Sequence, residues 1–223
     1  MAGAEFTLVV GNKNYSSWSL RGWLAAKQAL GSAGIEFEEV VVPLDQPDTA
    51  ERIRRYAPSG KVPLLRHGEL AVWDSLAIGE YLAERFPEAG LWPDDPTARA
   101  TARCVVAEMH AGFASLRAEM PMDMRNRAPA SPSSRTLADI ARIQAIWHDC
   151  RSRFGGPSGQ GAFLFGAAGL ADAFYAPVVS RFVTYGVPAD GAAAAYMEAI
   201  QAWAPYAEWL AAAEVEPWVL ERP

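Results

Sequence analysis

Lys61-Val62-Pro63-Leu64-Leu65-Arg66-His67-Gly68-Glu69-Leu70-Ala71-Val72-Trp73-Asp74-Ser75-Leu76-Ala77-Ile78 is the stretch whose reading decides the fold. It opens as a loop that runs through a proline into an apolar strand. Arg66-His67-Gly68-Glu69 is a tight connection, so the flanking strands pair as a hairpin. The second strand ends in an acid and a hydroxyl, Asp74-Ser75, which open a helix. An X-Pro bond is the peptide link that takes the cis form at modest cost. In that form the Val62–Pro63 bond turns the Val62 backbone N–H and C=O outward, ready to pair with an extended peptide. Asp74 and Ser75 sit where unpaired N–H groups and the helix dipole hold a carboxylate. The stretch describes a site for a small charged peptide.

Working outward, Phe6-Thr7-Leu8-Val9-Val10 is a short apolar run with β-branched residues and reads as a buried strand. Tyr15-Ser16-Ser17 supplies cap residues. Apolar side chains at Leu20, Trp23, Leu24 and Leu30 predict a helix over residues 18–30, with Gly31 as its stop. Residues 39–42 form a second strand ended by Pro43. Residues 48–56 form a short Arg-rich helix closed by Pro58 and Gly60, and residues 75–86 a helix closed by Pro87. The order is β-α-β-α-β-β-α. A helix joining the first two strands makes a right-handed crossover with parallel pairing, while the last two strands are antiparallel. That is the thioredoxin-like arrangement.

Residues 87–96, with three prolines, Gly90 and two aspartates, read as a linker between domains 1–86 and 97–223. Past the linker the pattern is helical throughout. Residues 98–120 read as one long helix, 126–134 as a break, 137–154 as a second helix and 155–161 as a loop. Helices over 170–183, 191–203 and 205–213 complete an all-α domain. The expected fold class is therefore α/β plus all-α. The chain has 223 residues, 51% of them hydrophobic, and a net charge of -6, which argues against non-specific nucleic-acid binding. No run reaches the roughly 18 apolar residues of a membrane span, and the start lacks the pattern of a secretory signal. Cys104 and Cys150 fall in helical patterns and match no zinc spacing or CxxC. No metal site is expected, and two such thiols point to a reducing cytoplasm.

A thioredoxin-like domain with Val-Pro before its third strand, an acid–Ser pair opening its third helix and an all-helical second domain resembles the cytosolic glutathione transferases. Ser16-Ser17-Trp18-Ser19-Leu20-Arg21 is a third point of likeness. It is similar to the Ser-Ser-Cys-Ser-x-Arg segment of the zeta class, and more loosely to the serine-type theta and delta classes. The departure is Trp18, where the zeta class has a cysteine; this speaks against zeta-type isomerase chemistry and against a redox cysteine. The resemblance implies a cis Val62–Pro63 bond and a glutathione transferase with glutathione as cosubstrate. It implies catalytic Ser16 or Ser17, the two differing by one step of register, and glutathione contacts from Lys61, Val62, Pro63, Asp74 and Ser75. Val62 pairs with the cysteinyl unit, Asp74 takes the γ-glutamyl ammonium, Ser75 its carboxylate, and Lys61 the glycyl carboxylate. A pocket for a small hydrophobic electrophile is expected from Asn14, Tyr15, His110, Phe113 and Met120, with Asn12 on the same loop. A homodimer is implied as well, with no nucleic acid or membrane as partner. Gly169-Leu170-Ala171-Asp172 resembles the capping box of the family's buried helix, with Gly169 in place of the usual hydroxyl.

The chemistry asks for little. A cysteine-type thiol has a pKa near ~8.5, so only a few per cent is thiolate at neutral pH. One hydroxyl donor to an anion contributes about 1.5–3 kcal/mol, a helix N-terminus about 0.3–1 kcal/mol, and each pKa unit requires about 1.4 kcal/mol. A serine at the start of the first helix supplies both terms and brings the thiol close to neutrality without a general base. Three other functions share this sequence pattern: a binding or regulatory protein of the same shape, a glutathione store without turnover, and a glutathione-dependent isomerase.

Overall fold

The computed structural model describes residues 5–56, 59–155 and 161–220. Four strands, β1 (Phe6–Val10), β2 (Glu38–Val41), β3 (Leu64–His67) and β4 (Leu70–Val72), form one sheet in the order β2-β1-β3-β4. β1 and β2 are parallel, with Val9 opposite Val40. β3 is antiparallel to both β1 and β4, with Leu8 opposite Leu65 and Leu65 opposite Val72. Helix α1 (Ser17–Ser32) makes the crossover between β1 and β2, α2 (Thr49–Arg54) joins β2 to β3, and α3 (Ser75–Arg85) follows the hairpin. The thioredoxin-like order read from the sequence is the observed one.

β1 is central and buried on both faces because its alternate side chains meet different layers. Phe6, Leu8 and Val10 join the large core with α1, whereas Val9 packs with Val42, Ile53 and Leu64 on the α2 side. α1 is itself wrapped on several sides: Leu20, Leu24, Ala25, Ala26, Ala29 and Leu30 are all fully buried. It packs against α3 in its own layer and against the long helix α7 (Leu170–Tyr185) of the second half. Gly22 of α1 allows a close approach to the loop before β3, since a Cβ there would lie 2.9 Å from Pro63 Cγ. Gly79 of α3 allows that helix to meet the start of α7, since its Cβ would lie 2.7 Å from the methyls of Leu170.

A short 3₁₀ turn at Pro87–Ala89 leads to the helical half. Its helices are α4 (Pro96–Ala111), α5 (Ala114–Glu119), α6 (Ser134–Phe154), α7, α8 (Gly191–Ala202) and α9 (Ala204–Glu214). Among the described residues its only strand-like features are isolated bridges at Phe163–Gly166 and Phe165–Ala167. No helix of the described residues is long and apolar enough to cross a membrane.

Two boundaries correct the sequence reading. Gly31 does not stop α1, which runs on to Ser32; Ala33 caps it and Gly34, at φ 68°, turns the chain. The expected single helix over 98–120 is two. Gly112 ends α4 in extended conformation, Phe113 takes φ 57°, and α5 starts in a new direction. Helical spacing had bridged that break because Met109 before it, Phe113 at it and Leu116 after it are all buried. The expected stop at Pro58 and most of the loop over 155–161 lie outside the described residues.

At the start of α7 the half-box at Gly169 works as its residues suggest. Asp172 Oδ2 accepts the Gly169 N–H at 2.9 Å, and Oδ1 accepts the Leu164 N–H at 3.2 Å. Burial outweighs these two donors and pushes the Asp172 carboxyl up to about 7. A side chain at Gly169 would press on the Leu91 carbonyl, which itself accepts the Leu170 N–H at 2.8 Å.

Candidate active site

One cleft of 560 Å³ collects the ends of α1, α2, β3 and α3. Its lining includes Ser16, Trp18, Lys61, Val62, Pro63, Asp74 and Ser75. Each is placed by the element that ends there. Ser16 is the N-cap of α1; its Oγ accepts the Ser19 N–H at 3.3 Å and lies 2.8 Å from Ser19 Oγ, which also takes the Gly11 N–H at 2.9 Å. Ser16 is only 7% exposed, so this residue of the cleft lining sits in a nearly dry wall. Ser17, the first residue of α1, is also buried and is not among the lining residues.

Across the cleft the Val62–Pro63 bond is cis, as expected. The Val62 N–H and C=O take part in no hydrogen bond among the described residues, so both are available to an added strand. Asp74 caps α3: its Oδ1 accepts the Leu76 N–H at 2.9 Å and the Ala77 N–H at 3.4 Å. Its Oδ2 lies 3.1 Å from His110 Nε2 on α4, which ties the rim of the cleft to the helical half. Ser75 is fully buried, and its Oγ has no partner among the described residues. A buried hydroxyl without a partner costs free energy unless a ligand or water supplies one. Lys61 is exposed at the mouth.

The residues expected around an acceptor do not line this cleft. His110 adjoins the cleft, its Nε2 3.1 Å from Asp74 Oδ2 and its ring edge-on to Trp18 at 5.2 Å. Asn14 is buried behind the loop, where its side chain bonds Asp123 and the Arg125 N–H at 2.7 and 2.9 Å. The Tyr15 hydroxyl accepts from Arg125 at 3.2 Å. Asn12 is likewise buried, and its Oδ1 takes the Leu44 N–H. Phe113 is core, and Met120 lines a separate 300 Å³ cavity with Leu137, Ile140 and Tyr185. The break at Gly112–Phe113 separates Phe113 and Met120 from the helix that carries His110. Trp18, Leu44, Ile53 and Trp73 give the cleft an apolar wall. Among the described residues no group of three or more His, Cys, Asp or Glu converges to hold a metal ion.

Residues 15–85 match the family described as "Glutathione S-transferase, N-terminal domain". The dichloromethane dehalogenase of Methylorubrum extorquens is 40% identical over 70 residues, covering 30% of this chain and 24% of that protein. A probable maleylacetoacetate isomerase of Caenorhabditis elegans is 28% identical over 116 residues, covering 52% and 54%. The matched stretches thus span from about a quarter to about half the length of these curated relatives. In three dimensions the chain is similar to a glutathione transferase homolog from Burkholderia with bound glutathione, with a TM-score of 0.68 at 22% identity, covering 93% of this chain and 97% of that one. Residues 15–85 thus match the N-terminal domain of the glutathione S-transferases, and the chain shares the fold of the glutathione transferase homolog over most of its length.

Proposed function

We propose that the 560 Å³ cleft binds glutathione and that the protein is a transferase in which the Ser16 hydroxyl donates to the bound sulfur. The observation that carries this reading is the meeting of Ser16, Val62, Asp74 and Ser75 on one cleft from three separate chain segments. The Val62 backbone pairs with the cysteinyl unit, as one strand adds to another. The orphan Ser75 hydroxyl and the first N–H groups of α3 receive the γ-glutamyl carboxylate, Asp74 its ammonium, and Lys61 reaches towards the glycyl carboxylate.

Ser16 and Ser19 act as a pair. Either hydroxyl of the 2.8 Å contact can donate. When Ser19 donates to Ser16, the Ser16 O–H is released to point at sulfur, and its oxygen is held by the Ser19 N–H and O–H together. The thiol proton leaves to solvent and the thiolate pair forms the new C–S bond at an electrophilic carbon. In a substitution the displaced halide departs with its bonding electrons. The apolar wall of Trp18, Leu44, Ile53 and Trp73 suits a small hydrophobic acceptor. A cytoplasmic homodimer belongs to the same reading, and light scattering on the purified protein checks the dimer.

Turnover of glutathione with an activated aryl chloride tests the proposal. Wild-type protein is expected to accelerate the reaction, and Ser16→Ala to lose about 10²-fold in kcat, as when one donor to a developing anion is removed. Tight glutathione binding without turnover of any electrophile would replace this reading with that of a store or regulatory protein.

A further inference from the structure

α1 carries a side chain that packing alone does not explain. Arg21 is fully buried, yet its Nε, Nη1 and Nη2 have no hydrogen-bond partner among the described residues. Its guanidinium instead lies 4.4 Å from the centre of the Trp18 ring and 5.1 Å from that of Phe174. Two ring faces do not replace the five water contacts such a group gives up. A hydrocarbon of the same length fills the space without that penalty, and unpaired buried charge is far costlier than apolar packing.

Its surroundings add cations rather than anions. Arg117 of α5 lies over the same Trp18 ring at 5.4 Å. Arg181 of α7, whose Nε and Nη1 donate to the carbonyls of Met120 and Pro177, raises the local potential further. On α7 Tyr175 is a neutral hydroxyl that donates to the Val105 carbonyl. On α4 His110 faces Trp18. Asp74, at the start of α3, is the carboxylate nearest in effect, and it is already committed to His110 and to its own helix cap. Burial and these cations together push the Arg21 guanidinium down to about 9.

The direction of the side chain gives the feature a use. Long side chains in a helix lean towards its N-terminus, over the preceding turn. Arg21 does so, which is why it stacks on Trp18, three residues back and itself part of the cleft wall. The charge thereby lies against the inner face of a ring that lines the same cleft as Ser16, at the first turn of α1. We propose that Arg21 is a buried, uncompensated cation whose field stabilises the sulfur anion of glutathione bound at Ser16. It touches no reacting atom and acts through the low-dielectric wall, adding to the helix dipole and the serine donor. The inference rests on the glutathione reading above. It also accounts for a charge the fold does not need: the site gains thiolate stabilisation and the core bears the cost.

The test is a pH titration of the thiolate absorbance of bound glutathione, near about 240 nm, in wild-type protein, Arg21→Lys, Arg21→Met and Arg21→Gln. Urea unfolding and the affinity for S-methylglutathione, which has no ionisable thiol, are measured alongside. The expected result is a thiol pKa about one unit higher in both neutral variants, close to wild type in Arg21→Lys, with S-methylglutathione affinity within about twofold. The urea midpoint of Arg21→Met should equal or exceed that of wild type. An unchanged thiol pKa in the neutral variants overturns the proposal and leaves the glutathione reading intact. So does a loss confined to S-methylglutathione affinity, which would make a ligand carboxylate the partner of Arg21. Failure of both neutral variants to fold while Arg21→Lys folds overturns it too, by making the residue structural. Wild-type protein that binds glutathione without any thiolate band sinks the parent reading first.

Discussion

The same substitution at two positions of α1 should have opposite effects. Gly22 and Gly31 are both helical, and in an open helix Gly→Ala gains about 0.5–1 kcal/mol through reduced chain entropy and better propensity. At Gly31 a Cβ meets nothing within 4 Å, so that gain should appear almost whole. At Gly22 the new methyl would lie 2.9 Å from Pro63 Cγ and 3.1 Å from its Cβ, with Ile78 Cδ1 at 3.7 Å behind. Pro63 is a rigid ring between Val62 and β3, and it moves only by taking its loop along. Overpacking of this kind costs about 1–3 kcal/mol, so Gly22→Ala should come out destabilised by about 0–2 kcal/mol net. The displaced loop carries the Val62 backbone, so the affinity for S-methylglutathione should fall as well, by about tenfold for each 1.4 kcal/mol of lost strand pairing. Urea unfolding and calorimetry read the two effects separately. Equal stability changes for Gly22→Ala and Gly31→Ala would refute the packing argument. A destabilised Gly22→Ala with wild-type affinity would refute the link from Pro63 to the ligand.

The remaining predictions concern the two carboxylates at helix starts. Burial holds the Asp172 carboxyl up to about 7 against its usual value near ~4, so the folded state keeps a proton that the unfolded chain has released. The stability this group contributes is therefore present below about pH 4 and declines as pH rises towards 7, by on the order of 4 kcal/mol; subtracting the pH–stability profile of Asp172→Asn should expose that slope, and parallel profiles would contradict it. His110→Ala removes the 3.1 Å partner of Asp74 but leaves its two cap bonds, and the pair is partly exposed. A loss of about two- to fivefold in S-methylglutathione affinity is expected, in line with about 0.5–1 kcal/mol for such pairs. No loss would mean that capping alone positions Asp74.

The legible half of the molecule was the half written in local signals. Val-Pro before an apolar run, Asp-Ser before a helical one and Ser-Ser after the first strand each carry their own geometry, and the structure brings Ser16, Lys61, Val62, Pro63, Asp74 and Ser75 to one cleft. The break between α4 and α5 was not legible, because a helical period continues through Gly112–Phe113 while the backbone turns there. Gly31 misled for the opposite reason: a glycine ends a helix only where the next residues turn, and here the turn comes at Gly34. Asn14 looked like a cleft residue from its neighbours in sequence, but it serves the 123–125 segment behind the loop. Ser19 and Arg21 stood in plain view within the serine motif. Nothing in their spacing says that one supports the Ser16 hydroxyl and the other is left without a hydrogen-bond partner; both facts depend on burial, which only the packed helices define.

The central claim is that a hydroxyl at the start of α1 makes a bound thiol acidic. The thiolate absorbance of glutathione, titrated against pH on wild-type protein, Ser16→Ala and Ser17→Ala, tests it most directly. A hydroxyl-to-anion hydrogen bond worth about 1.5–3 kcal/mol corresponds to about one to two pKa units. The account predicts that Ser16→Ala raises the thiol pKa by that amount and extinguishes the band at neutral pH, with Ser17→Ala close to wild type. A band that survives in Ser16→Ala, or disappears only in Ser17→Ala, would contradict it.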